Sequence, residues 1–194
     1  LDPPSSPTRR SSDLADNNGE TPLWGAAYNG HEAAMRLLLA APGIDVNAAD
    51  NHGKTPLWQA ASDGDEMVMR LLLAAPGIDV NSSNDDGRTP LCEAASNNGM
   101  LPMWKTTYPT DKVVRLLLAA PGIDVNAADN NGRTPLWQAA SEDLEFVPLL
   151  LAAPGIDVNF ADTSGMTPLS VALKRGWKLE GIIKLLENRS TTSS

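Results

Sequence analysis

The chain has 194 residues, a formal net charge of −9 and a sequence pI near 4.6. That balance argues against a phosphate-binding face, which needs clustered cations, and no apolar run approaches the roughly 18 residues of a membrane span. A single cysteine, Cys92, rules out an internal disulfide framework and fits a reducing, intracellular compartment, cytoplasmic or nuclear.

Residues 1–15 stand apart from the rest of the chain. They are rich in Pro, Ser and Arg, and the stretch from Pro7 to Leu14 resembles the conceptual translation of a sequencing-adapter oligonucleotide. The head is expected to be non-native or a disordered basic arm, and in either case not to pack.

From residue 16 two motifs recur. Thr-Pro-Leu stands at Thr21, Thr55, Thr89, Thr134 and Thr167, at spacings of 34, 34, 45 and 33. Pro-Gly-Ile-Asp-Val-Asn begins at Pro42, Pro76, Pro121 and Pro154. Periods of this size signal a repeat architecture.

The second unit shows the physics. Asp50-Asn51-His52-Gly53-Lys54 is turn chemistry, with Asx residues that bond their own backbone and a Gly that tolerates positive φ. Thr55 is a helix cap and Pro56 suits the first helical position. Leu57, Ala60 and Ala61 fall on one stripe of a short helix. Gly64 lets the chain turn back, and Asp65 and Glu66 place negative charge at the start of a second helix. Met67, Leu71 and Ala75 form one apolar row there, Val68 and Leu72 the adjacent row. Pro76-Gly77 stops the helix, and Ile78–Asn81 returns extended to the next turn. Neither helix exceeds about three turns, so each must bury its stripe against its neighbours in a one-dimensional stack.

These residues resemble the ankyrin repeat. Asp-x-x-Gly-x-Thr-Pro-Leu, then Ala-Ala, Leu-Leu-Leu and Asp-Val-Asn, is that family's pattern, in five copies over residues 16–187. The resemblance implies an all-α fold, an α-solenoid of stacked helix-turn-helix units with short β-hairpin-like turns. The units run about 16–49, 50–83, 84–128, 129–161 and 162–187, followed by a mobile tail at 188–194. The sequence departs from the family after Thr-Pro-Leu, where the usual inter-repeat His is replaced by Trp24, Trp58, Cys92, Trp137 or Ser170. Cys92 reads as a small buried filler and the three tryptophans as inter-repeat packing.

The units are not equal. The second helix of unit one, with Ala33, Ala34, Leu37, Leu38 and Leu39, lacks the polar face of a terminal repeat, so further repeats are expected upstream. Unit three carries an 11-residue insertion relative to unit two, over residues 97–110, holding Met103, Trp104 and Tyr108. Unit four has lost the Gly matching Gly64 and has Pro148 where other units have Arg36, Arg70 and Arg115, so its second helix should start late or kink. Lys178, Glu180, Lys184 and Glu187 give unit five the polar side of a C-terminal cap.

Signals of reaction chemistry are sparse. His31 and His52 have no partner at metal-ligand spacing, and no phosphate loop, nucleophile elbow or kinase signature is present. His31 reads as structural and His52 as a turn-tip residue. Asp45, Asp79, Asp124 and Asp157 recur once per unit, which marks a scaffold role, and the Asn81-Ser-Ser and Asn188-Arg-Ser sequons carry little weight. No cofactor, metal, small-molecule substrate or nucleic acid is expected.

What the resemblance implies is a protein partner, of unknown identity, contacting the turn tips and the exposed ends of the first helices. Carried over by register, these positions are Asn17, Asn18, Glu20, Tyr28 and Asn29 in unit one, and Asn51, His52, Lys54, Ser62 and Asp63 in unit two. Unit three offers Asp85, Asp86, Arg88, Ser96 and Asn97, with Met103, Trp104 and Tyr108 from the insertion; unit four offers Asn130, Asn131, Arg133, Ser141 and Glu142. The reading is a non-catalytic scaffold for protein–protein interaction. The alternatives are a targeting or regulatory segment of a larger, truncated enzyme or receptor, and a purely structural array.

Overall fold

The computed structural model describes residues 14–96, 110–142, 146–176 and residue 184. The described residues form nine helices and no strand: α1 (Pro22–Tyr28), α2 (Glu32–Leu39), α3 (Pro56–Asp63), α4 (Glu66–Leu73), α5 (Pro90–Ser96), α6 (Thr110–Leu118), α7 (Pro135–Glu142), α8 (Val147–Leu151) and α9 (Pro168–Lys174). They stack in two layers. The first helices pack in the order α1, α3, α5, α7, α9, and the second helices in the order α2, α4, α6, α8.

Each first helix begins in the same way. Thr21, Thr55, Thr89, Thr134 and Thr167 accept the backbone N–H three residues on, at 3.2, 3.1, 3.3, 3.2 and 3.3 Å. This satisfies one of the orphan donors of a helix start, and the Pro that comes next has no N–H to satisfy. The stripe predicted for α3 is the core: Leu57, Ala60 and Ala61 are buried, as are Leu91, Ala94 and Ala95 in α5 and Leu136, Ala139 and Ala140 in α7. Gly64 closes α3 in the left-handed conformation, at φ 67°.

Asp65 caps α4, its carboxylate accepting the Met67 and Val68 N–H groups at 3.0 Å each. The buried face of α4 is Val68, Met69 and Leu72, whereas Met67 is 47% exposed. The predicted row of Met67, Leu71 and Ala75 is therefore corrected: α4 is rolled so that Met69 points inward, and Leu71 lies at the boundary. Pro148 has the expected effect on unit four. Helix α8 has five residues against eight in α4 and starts one residue before Pro148, at Val147, where Arg70 stands four residues into α4. A proline in the first turn loses no intrahelical bond, so the cost is helix length.

The leading face of unit one differs from its later counterparts. Pro22 is exposed while Pro56, Pro90, Pro135 and Pro168 are buried, and Leu37 is 77% exposed. The insertion separates α5 from α6, as the spacing required. The expectations for the head at 1–13, for residues 97–109 (Met103, Trp104 and Tyr108 among them) and for the capping segment at 178–187 lie outside the described residues, apart from exposed Lys184.

Candidate functional site: a hydrogen-bonded frame and its turn-tip surface

Three sets of hydrogen bonds run from unit to unit. The first lies at the residue that follows Thr-Pro-Leu. The indole N–H of Trp24 donates to the Lys54 carbonyl, that of Trp58 to Arg88 and that of Trp137 to Met166, each at 3.0 Å. Each acceptor is the residue immediately before the capping Thr of the next unit. Cys92 occupies the same register: its thiol approaches the Ala127 carbonyl at 3.3 Å and the equivalent carbonyl, Arg133, at 3.9 Å. The expected packing role of the tryptophans holds, and it has a polar half. Burial pushes the Cys92 thiol up to about 11, against partial compensation from its bonds at Thr89; it is fully buried and unpaired.

The second set lies at Asp-Val-Asn. Asn47 donates from Nδ2 to the Gly77 carbonyl at 2.8 Å, and its Oδ1 accepts the Asp79 N–H at 2.9 Å. Asn81 clips Gly122 and Asp124 at 2.8 and 2.9 Å, and Asn126 clips Gly155 and Asp157 at 2.8 Å each. The recurring aspartates accept the N–H two residues on, at 2.9–3.0 Å, which is the scaffold role expected of them. Both polar ends of the Asn81 carboxamide are engaged, so a glycan there would break the clip.

The third set ties the turn tips together. The N–H groups of Asn51, Asp85, Asn130 and Thr163 donate to the carbonyls of Asn18, His52, Asp86 and Asn131 at 2.8, 3.0, 2.9 and 2.9 Å. The approach is close: a Cβ on Gly53 would lie 2.9 Å from the Asp85 backbone nitrogen, and Gly53 itself has φ +74°. Asp50 holds its own turn by accepting the His52 and Lys54 N–H groups at 2.9 and 2.8 Å. Asp162 does the same in unit five, accepting from Ser164 and Met166. Burial opposes its ionisation, but these bonds together hold its carboxyl below the usual range.

The predicted contact residues sort against this frame. Asn51 and Asn130 are exposed yet spend Nδ2 on the carbonyls of Asn17 and Asp85, at 3.0 and 2.9 Å. Lys54 and Arg133 lie over the rings of Trp58 and Trp137, at 4.8 and 4.6 Å from the centroids. Arg88 is ion-paired with Glu93 at 3.0 Å and bonded to Ser96. Tyr28 stacks on Trp24 with centroids 5.5 Å apart, and Asn29 closes α1 by donating to the Gly25 carbonyl at 2.8 Å. His52, Asp85, Asp86, Asn131 and Glu142 are exposed at the tips and helix end.

Two expected contact residues are corrected. Asp63 is 7% exposed and accepts from Gln59 at 3.0 Å, and Ser141 is 2% exposed and donates to the Gln138 carbonyl. These two side chains are buried and bonded within their own helices, so they belong to the frame. His31 stands at the start of α2 with an exposed side chain and no side-chain capping bond; only its backbone has a structural role.

Between units three and four the tips open a polar recess of about 590 Å³, which Asp86, Arg88, Asn130, Asn131 and Arg133 line with Glu142. Asp129 and Gln138, not anticipated from the sequence, line it too. No group of three His, Cys, Asp or Glu among the described residues could hold a metal, and no described helix is long and apolar enough to cross a membrane.

A family description of ankyrin repeats matches residues 8–84, 45–106, 60–162 and 103–193, which together span nearly the whole chain. The chain belongs to the ankyrin-repeat family. Ankyrin repeats are generally modules for protein–protein interaction and are typically non-catalytic. No individually curated protein matches this chain. In ankyrin terms, this array keeps the Thr-Pro-Leu cap and, in units one, two and four, transfers the inter-repeat bond from the usual histidine to an indole.

Proposed function

We propose that this ankyrin array is a non-catalytic binding module that holds a protein partner across the turn-tip face of units two to four. The observation that carries the reading is a division of labour along that face. The backbone of every tip is fixed by a bond of 2.8–3.0 Å from the next, while His52, Asp86 and Asn131 project from those fixed positions with exposed side chains that differ from unit to unit. Little ordering entropy is lost when a partner settles on a surface already held in place. The net charge of −9 favours a partner with a neutral or basic surface, through steering more than through affinity. An unpaired, buried cysteine is in keeping with a reducing compartment.

Site-specific photo-crosslinking tests the reading. A crosslinking residue at position 52, 86 or 131 is expected to capture the same protein, and one at Arg36 or Met67, exposed on second helices, is not. Capture from the second-helix positions alone would place the contact elsewhere. Turnover of a substrate by the purified chain would end the non-catalytic half of the proposal.

A further inference from the structure

Units three and four place the same cation in the same position and treat it differently. Arg88 and Arg133 each precede the capping Thr of their unit, and each lines the recess between them. Arg88 is neutralised within the array by Glu93, at 3.0 Å. At the position of Glu93, unit four has Gln138, and at the position of Asn84 it has Asp129. The exchange leaves a carboxylate in unit four, but it faces elsewhere. Asp129 Oδ1 accepts the Asn131 and Arg133 N–H groups at 2.9 Å each, and Oδ2 accepts from Gln138 Nε2 at 3.2 Å. Among the described residues no carboxylate lies within ion-pair distance of the Arg133 guanidinium; it attracts the Asp162 carboxylate only at longer range and lies over the Trp137 ring, 4.6 Å from its centroid. Its Nε, like that of Arg88, is buried without a hydrogen-bond partner. Asp86 and Glu142 are exposed on the same recess.

A guanidinium held over an indole keeps its fork oriented at little entropic cost, and a fork of that kind matches a carboxylate. The two exposed carboxylates favour cations on either side. We propose that the recess recognises an acidic side chain of the partner, seated on Arg133 and flanked in the partner's chain by basic residues that meet Asp86 and Glu142. This rests on the binding-module reading above and assigns its unit-four contact.

The probes are the capped peptides Lys-Glu-Lys and Lys-Gln-Lys, titrated into the isotope-labelled full chain while the amide signals of residues 130–133 and the Trp137 indole are followed. The Glu peptide is expected to shift these signals, and the Gln peptide to bind at least about fivefold more weakly. Arg133→Gln should abolish the difference between the two. The double variant Asp129→Asn/Gln138→Glu transplants the unit-three arrangement and supplies Arg133 with an internal carboxylate. It should lose the Glu-peptide response while keeping the spectrum of the folded array. Equal binding of both peptides, no response to either, or full retention in the double variant would each overturn the proposal. Crosslinks from position 52 would still report on the wider binding reading, so the two can fail separately.

Discussion

Units two and four share a frame and differ in what they hang on it. Both cap the first helix with Thr, at 3.1 and 3.2 Å, both send an indole N–H into the next unit at 3.0 Å, and both continue the tip ladder. Their second helices diverge. Helix α4 has eight residues and an Asp cap with two bonds, whereas α8 has five, a Phe146 start without a side-chain cap, and Pro148 in its first turn. The first helices and tips are fixed by directional bonds that cross between units, and so they repeat closely. The second helices are held mainly by apolar packing, which tolerates loss of a turn as long as Val147, Leu150 and Leu151 remain buried.

The largest test of that contrast is Trp58→Ala. It removes a buried ring and leaves the Arg88 carbonyl without its indole donor, and should cost about 3–5 kcal/mol in chemical unfolding. Cys92→Ala removes a small group from the same register, and its loss should be well below that of the indole. If the two substitutions cost the same, the indole bond is not what closes the interface.

A smaller effect is expected at the second helix. Asp65→Ala removes both capping bonds of α4 and should cost about 1 kcal/mol, read as a shift in the denaturation midpoint with an unchanged slope. Helix α4 would then start as α8 does, without a side-chain cap. Its amides should exchange faster, approaching those of α8, while the amides of α3 keep their protection.

The smallest effect is electrostatic. Glu66 joins α4 to α6 through Lys112 at 2.9 Å and pairs with Arg70 at 2.8 Å on its own helix. The Lys112 bond, then that of Arg70, holds its carboxyl below the ordinary value of 4.5. A carboxyl depressed in the folded state stabilises at pH values above its unfolded value, and that contribution is lost as pH falls through the folded value. The difference in thermal midpoint between the wild type and Glu66→Gln should therefore be present at pH 7 and vanish toward pH 3. Helix α8 (Val147–Leu151) itself contains no charged residue.

Much of the frame was legible in the chain. Thr55, Pro56 and Gly64 announce their roles because a cap, a first-turn proline and a left-handed stop each depend on one residue type in a local context. The late start of α8 followed from Pro148 for the same reason. What local chemistry does not carry is the direction in which a short helix rolls. An eight-residue helix with Met67, Val68, Met69, Leu71 and Leu72 offers more than one apolar row, and only the neighbouring units choose Met69 over Met67. Register with the family's contact positions puts Asp63 and Ser141 at the surface, and the stack buries them with partners already in place. The bond from Trp58 to Arg88 spans 30 residues; it needs the offset between units, which the repeat period implies but does not orient. The pairing of Glu93 with Arg88, and its absence at Arg133, became visible only when the two units were set in register.

Trp24, Trp58 and Trp137 belong to the frame, and the described tip surface is left to polar side chains and to the cation held on Trp137. Hydrogen exchange of the three buried indole N–H groups tests this directly. The signals of Trp24, Trp58 and Trp137 should exchange far more slowly than a free indole and should respond together when denaturant loosens the stack, and those of Trp24 and Trp137 should respond together in Trp58→Ala. Exchange of those three protons at the rate of an exposed tryptophan, in an array that is otherwise folded, would contradict it.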